Sequence, residues 1–401
     1  MTKKQTTPPA KGLERYRAEI ARCVKCGSCR AVCPSFLVDR EESHSARGRM
    51  ALIEAVLDGR LAASAAYEDR LETCTGCLAC EAACASNVRV TAIIQAAKEQ
   101  AVAETGRGIL KSLIGRVLSS PRAMQSTAWL APLALHYAPS SVKAKPHRIA
   151  GRAASGREQN RAKKGSLIFF PGCATSYFQP GIGTAALDVL AALGYEVIIP
   201  DGLTCCGRPL LSLGDRDAAR EAAERNSRLF ADSDVVVTAC ASCSLTFKKE
   251  YPRLLRPEVK VPAVLDIHEL LAREISGLQL RPVNKSVTWH DPCHLGRGQG
   301  LAKTARDVIR AIPGITLIDM RDADQCCGFG GVMRVTHRRD SDAIADKKAR
   351  NIIATRAQAV VTGCPSCRMQ IADALRREES GIEALHTLQL LQETLHEPDA
   401  E

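Results

Sequence analysis

A chain of 401 residues is long enough for two or three domains, each able to bury its own core. Apolar residues at 45% and charged residues at 25% are those of a soluble globular protein, while aromatics at 4% are too scarce for base-stacking platforms, so nucleic acid is not an expected partner. The formal net charge of +11 would suggest an acidic partner, but it counts all 18 cysteines as neutral, and metal ligation deprotonates thiols. MTKKQTTPPAKG at the N-terminus is charged with no apolar run behind it, and no stretch of 18 uninterrupted apolar residues follows anywhere. The expectation is a cytoplasmic protein, at most peripheral at the inner face of the membrane through its partners. Cysteines in that compartment stay reduced and read as metal ligands or redox groups rather than disulfides.

Cys23, Cys26, Cys29 and Cys33, followed by Pro34, spell C-x2-C-x2-C-x3-C-P, and Cys74, Cys77, Cys80 and Cys84 repeat the spacing with Ala85 in place of the proline. This is the bacterial-ferredoxin pattern, in which the fourth cysteine of each run ligates the other run's cluster. Two [4Fe–4S] cubanes are expected, one on Cys23, Cys26, Cys29 and Cys84, the other on Cys74, Cys77, Cys80 and Cys33. Structural zinc, which takes pairs of Cys or His in a tetrahedron, is the competing reading. Between the runs, SARGRMALIEAVLDGRLAA places Met50, Ile53, Ala55, Val56 and Leu57 at helical spacing, and VRVTAIIQAAKEQAVAE after the second run does likewise. Residues 1–105 therefore read as a helical ferredoxin head.

Residues 106–165 read as a helical and basic linker; the stretch 141–166 holds eight Lys/Arg against one Glu, a solvated segment or a dock for an acidic partner. Beyond it the chain repeats itself. Cys173, Cys205–Cys206 and Cys240-x2-Cys243 recur as Cys293, Cys326–Cys327 and Cys364-x2-Cys367, at offsets of 120, 121 and 124. Each unit, 166–283 and 284–401, reads strand, helix, strand, CCG, helix, strand, CxSC, helix, which predicts a parallel α/β layer with every cysteine at or beyond the C-terminal end of a strand.

C-x31-CC-x33-C-x2-C and C-x32-CC-x36-C-x2-C resemble the cysteine-rich CCG domain of heterodisulfide reductase catalytic subunits and of the iron–sulfur subunits of glycolate oxidase and lactate-utilisation systems. Those subunits share the order found here, a paired ferredoxin head followed by two CCG domains, so the resemblance covers nearly the whole chain. It implies a multidomain protein with the two repeats in a pseudo-two-fold arrangement. It also implies non-cubane [4Fe–4S] clusters, one on Cys173, Cys205, Cys206, Cys240 and Cys243, the other on Cys293, Cys326, Cys327, Cys364 and Cys367. Zinc in at least one repeat stays an alternative, because four thiolates suffice for it.

Gly207 and Gly328 fit a tight turn after each pair, and Gly330 and Gly331 would let backbone or substrate come close, whereas the first repeat follows its turn glycine with Arg208-Pro209. His290 and His294 flank Cys293, where the first repeat has Phe170 and Ala174; a packing role and a redox-linked role both fit. His268 and His386, on helical stretches after the CxSC segments, read as packing or surface residues, and no catalytic residue is assigned. GIGTAA at 181–186 imitates a dinucleotide fingerprint but starts too far beyond the preceding strand. A chain with clusters and no flavin or nicotinamide site reads as a relay. The preferred function is the electron-transfer subunit of a 2-hydroxy-acid oxidoreductase, glycolate or lactate, taking electrons from an FAD-containing dehydrogenase subunit and passing them to a quinone or another carrier. A heterodisulfide-reductase-like subunit that cleaves a disulfide at a CCG centre is the runner-up, and a zinc-stabilised scaffold is the third reading.

Overall fold

The computed structural model describes residues 12–106, 108–127, 164–231, 233 and 235–395. The basic stretch 141–166 lies outside them apart from its last three residues, where Lys164 pairs with Glu274 at 2.7 Å. Among the described residues no helix is long and apolar enough to cross a membrane.

The periodicity between the two cysteine runs becomes α1 (Ala46–Leu57). Ser45 caps it by accepting the Gly48 N–H at 2.9 Å, and Gly59, at φ +68°, turns the chain just past its end. Met50, Ile53 and Ala55 face inward, while Val56 and Leu57 are half-buried. With α2 (Ala65–Glu72) and α3 (Val90–Thr105) they enclose a core in which Ile53, Leu71, Ile93 and Ala97 are fully buried. Each such Ile or Leu contributes about 1.5–3 kcal/mol. The head has no strand among its described residues. From α4 (Ile109–Ser119), Lys111 reaches back to Glu68 at 2.8 Å and to Glu72, tying the start of the linker to α2.

The first repeat forms a parallel sheet of β1 (Gly165–Phe170), β2 (Tyr195–Ile198), β3 (Val235–Thr238) and β4 (Ala263–Asp266) in the order β2-β1-β3-β4. The second copies it with β5 (Lys285–His290), β6 (Ile315–Ile318), β7 (Ala359–Thr362) and β8 (Glu383–His386), in the order β6-β5-β7-β8. Even the register is kept: Ile168 lies opposite Ile198 and Val236, and Thr288 opposite Ile318 and Val360. Parallel strands need crossovers that cover both faces, and the helices following the strands supply them. These are α5 (Pro180–Ala192), α6 (Arg216–Phe230), α7 (Ile267–Glu274), α8 (Ala302–Arg310), α9 (Arg338–Ala354), α10 (Pro365–Arg377) and α11 (Thr387–Thr394). GIGTAA lies inside α5, beyond Cys173.

Two expectations need correction. Each sheet has four strands rather than three, because AVLD and EALH are only four residues long and end in a polar residue that caps the next helix. Asp266 and His386 form capping boxes with Glu269 and Gln389, so the local pattern looks like the start of a helix. For the same reason His386 is the last residue of β8, not part of a helix, and neither it nor His268 is at the surface.

Both histidines join the repeats. The His268 ring meets the Thr387 hydroxyl at 2.9 Å, and His386 Nε2–H donates to the Ala239 carbonyl at 2.9 Å. The Gln179 amide donates to Pro365 O at 2.6 Å and the Gln299 amide to Ala241 O at 3.3 Å, the same contact made in both directions. One continuous apolar core runs through both repeats.

Candidate metal centres

In the head, Cys33, Cys74, Cys77 and Cys80 border one cavity, and Cys23, Cys26, Cys29 and Cys84 border a second, with Cys80 on the wall between them. The fourth cysteine of each run thus lies with the first three of the other. Tetrahedral zinc would draw its thiolates to about 3.8 Å from one another, given Zn–S of about 2.3 Å. Among the described residues no three of these eight thiols lie within 4.8 Å of one another, a spacing that suits a larger inorganic core. Donors point at the sulfurs, Gly76 N–H at 3.4 Å from Cys74 and Val88 N–H at 3.4 Å from Cys84, and the Ser28 and Ser35 hydroxyls contact Cys26 and Cys33 at 3.4 Å. The Ser28 contact holds the exposed Cys26 thiol below its usual range.

All parallel strands end on the same side, so the repeat cysteines gather at one edge of each sheet. Cys173 and Cys205 are 3.8 Å apart, and Cys327 and Cys367 are 3.4 Å apart. Gly207 and Gly328, at φ +92° and +91°, make the turn that aims both thiols of each pair inward; a Cβ on Gly328 would meet Ser341 O at 2.5 Å. The second thiol of each pair is held well below its usual range, Cys206 by hydrogen bonds with Cys205 and Cys243, Cys327 by those with Cys326 and Cys367. Cys240 and Cys364 interact with each other across the repeat interface, so the two thiol groups meet there. Ser242 Oγ, 3.8 Å from Cys364 Sγ, also contacts His294 Nδ1 at 2.9 Å.

His294 leads to the head, its Nε2 lying 3.2 Å from Gly76 O. The head packs against the edge of the second repeat. A Cβ on Gly330 would lie 2.2 Å from Thr75 O and one on Gly331 2.6 Å from Cys74 O, so the glycines admit backbone. That approach buries Cys77 against Cys326, with Cys293 beside them. Arg297 spans the joint, Nε–H donating to Cys77 O at 3.0 Å and Nη1 pairing with Asp324 at 2.9 Å.

Buried cations surround these thiols, and nothing in the sequence signals them, because Lys and Arg in a helix read as solvent-facing. Arg49 is 1% exposed, with Nη1 3.9 Å from Cys33 Sγ and Nη2 donating to Ser35 Oγ at 2.9 Å. Lys98 is buried near Cys74 and donates to Ser212 O at 3.5 Å. Lys348 is fully buried near Cys326 and Cys327 and donates to the Asp322 carbonyl; burial lowers its ammonium to about 8. A buried cation is stable only beside compensating charge, and a four-thiolate iron–sulfur centre supplies about −2 when oxidised.

His290, buried at the end of β5, has a ring nitrogen within 4.8 Å of the Cys327 and Cys367 sulfurs, and neither of its nitrogens has a hydrogen-bond partner. Burial lowers it to about 3, which keeps the ring neutral. An unmet buried nitrogen costs about 1–3 kcal/mol.

Residues 19–88 match the 4Fe-4S dicluster domain, and residues 167–248 and 287–372 each match the cysteine-rich domain. The chain is 32% identical over 396 residues to a subunit of the fumarate reductase (CoM/CoB) of Methanothermobacter marburgensis, covering 95% of this chain and 75% of that one. It is 26% identical to the probable glycolate oxidase iron-sulfur subunit of Bacillus subtilis, covering 94% of both chains. It is also 26% identical to a subunit of the dihydromethanophenazine:CoB–CoM heterodisulfide reductase of Methanosarcina barkeri, again covering 94% of both. The chain belongs to the family of oxidoreductase iron–sulfur subunits that join a 4Fe-4S dicluster domain to two cysteine-rich CCG domains.

Proposed function

We propose that this chain is the electron-transfer subunit of a 2-hydroxy-acid oxidoreductase. It receives electrons from an FAD subunit that oxidises glycolate or lactate and passes them toward a quinone or another carrier. The observation that carries the relay is the contact of Cys77 with Cys326, which sets the head's inner thiol group against that of the second repeat. Two [4Fe–4S] cubanes are assigned to the head, on Cys23, Cys26, Cys29 and Cys84 and on Cys33, Cys74, Cys77 and Cys80. Non-cubane [4Fe–4S] centres are assigned to the five-cysteine sets of the repeats, which the reciprocal Gln179 and Gln299 contacts support as a pseudo-two-fold pair. Iron–sulfur centres there would take and release single electrons. The protein's part is to space the thiols, donate hydrogen bonds to them and neutralise their charge with Arg49, Lys98 and Lys348. Cys26 and the neighbouring Val24, 72% exposed, open the outer head site to a partner, whereas Cys77 and Cys326 are buried.

Cleavage of a disulfide is the second reading, supported by the Cys240–Cys364 contact between the repeats and by a basic cavity of about 260 Å³ between the head and the repeats, lined by His294, Arg208, Lys249 and Arg253. Anaerobic co-purification from the native host separates the two. A companion FAD protein with hydroxy-acid activity is expected; cleavage of a disulfide by the isolated chain, with electrons from reduced dye, would overturn the relay. Metal analysis tests the cofactors: about sixteen irons per chain are expected from four four-iron centres. About eight irons with two zincs would instead make the repeats a scaffold.

A further inference from the structure

The repeats differ at one buried position beside their thiols. Phe170 ends β1 edge-on to Phe247, with ring centroids 4.8 Å apart, and Phe230 closes the cluster at 6.0 Å. The matching residue at the end of β5 is His290, 1% exposed, and the counterpart of Phe247 is Ile371. A side chain needed only for packing would be apolar here, as it is in the first repeat. The other described histidines, His44, His268, His294, His337 and His386, all have a polar partner. His290 has none on either nitrogen. What lies within reach is sulfur: one ring nitrogen, Cys327 Sγ and Cys367 Sγ are all within 4.8 Å of one another, the two sulfurs being 3.4 Å apart.

We propose that His290 is a nitrogen ligand of the iron centre in the second repeat, giving it a mixed imidazole and thiolate set where the first repeat has thiolates alone. The inference rests on the reading that this repeat holds iron. Imidazole binds iron as a neutral donor; standing in for one of the five thiolates, it leaves the centre with one negative charge fewer than an all-thiolate one and easier to reduce, as when His replaces Cys in two-iron centres. The second repeat then has the higher potential of the two, at the place where electrons from the head arrive.

The test is pulsed EPR on the full chain, purified anaerobically from cells fed nitrogen-15 histidine. The expected result is a directly bonded nitrogen on the second-repeat signal whose splitting changes with the isotope. It should vanish in His290→Phe, which copies the first repeat, and survive in His294→Asn. His290→Cys should keep the iron, lose the nitrogen coupling and lower the midpoint potential. Full iron with no bonded histidine nitrogen in the wild-type signal would overturn the ligand while leaving the iron assignment standing. So would coupling that survives His290→Phe. An iron-free second repeat in wild-type protein would overturn both together. If the His290 variants fail to fold, the labelled wild type compared with His294→Asn still decides, because the other histidines near these thiols, His268 and His386, have both ring nitrogens hydrogen-bonded.

Discussion

The two repeats share a strand order, a register and five cysteines at matching positions, yet they treat the head differently. After Cys206 the first continues through Gly207 into a short helix, Arg208–Ser212, whose Arg208 side chain lies against Gly76. After Cys327 the second continues as Gly328-Phe329-Gly330-Gly331, and backbone of the head rests on its glycines. Both touch the head, but among the described residues only the second sets a thiol against a head thiol. Strand topology delivers the cysteines to one edge in either copy, and residues just outside the ligand pattern decide which copy the head can reach.

The largest expected effect breaks that difference at its centre. Cys327→Ser should lower electron flow from the head by more than about 100-fold, beyond what removing an outer hydrogen-bond partner costs, because oxygen is a poor ligand for these clusters. The second-repeat paramagnetic signal should change while the head signals persist and a flavoprotein partner still reduces dye. Cys206→Ser should alter only the first-repeat signal; if instead it alone stalls transfer, the path runs through the other copy.

Next in size is a feature that the first repeat lacks. Asp373 is buried between Arg334, Arg376 and Arg377 at 2.6–2.7 Å, where the matching residue is Lys249. Asp373→Asn should cost about 3 kcal/mol in denaturant unfolding, since it removes one of the two carboxylates that compensate the buried Arg334 guanidinium, the other being Asp342. Burial alone would raise this carboxyl, but hydrogen bonds from Arg376 and Arg334 hold it below the usual range. Its stabilising effect is therefore complete above the ordinary Asp value near 4 and is lost as pH falls through the lowered one. The gap between wild type and variant should narrow in acid; a gap constant with pH would mean that the pair does not couple to folding.

Gly330→Val tests docking, because its Cβ would sit 2.2 Å from Thr75 O. A loss of about 1–3 kcal/mol is expected, with the head released to proteolysis before the repeats unfold. Unchanged digestion would show that the head is held elsewhere. The smallest effect sharpens the comparison from the other side. Phe247→Leu removes the edge-to-face contacts with Phe170 and Phe230 and should cost about 1 kcal/mol beyond the lost area. Thermal unfolding would reveal it as a lowered midpoint.

Cysteine positions were readable from the sequence because metal chemistry demands fixed spacing, and the repeat followed from them. The two helices around the head core were equally plain from Met50, Ile53 and their neighbours. The close backbone approach at Gly330 and Gly331 was foreseen as a permission, though not which backbone would use it. β4 and β8 were hidden by Asp266 and His386, whose capping roles outweigh four residues of strand pattern. Arg49 and Lys348 were hidden for another reason: a buried cation is set by charge brought from distant parts of the chain, and no local period records it. The Cys240–Cys364 contact depends on how two domains dock, which neither segment encodes by itself.

The wall shared by Cys77 and Cys326 also constrains how the protein is made. These thiols are 7% and 4% exposed once the head is seated. If the inner head site and the second repeat hold iron and sulfide as proposed, loading of those two sites would have to precede their closure: both would be filled before the head docks, and docking would then seal them from the factory that built them.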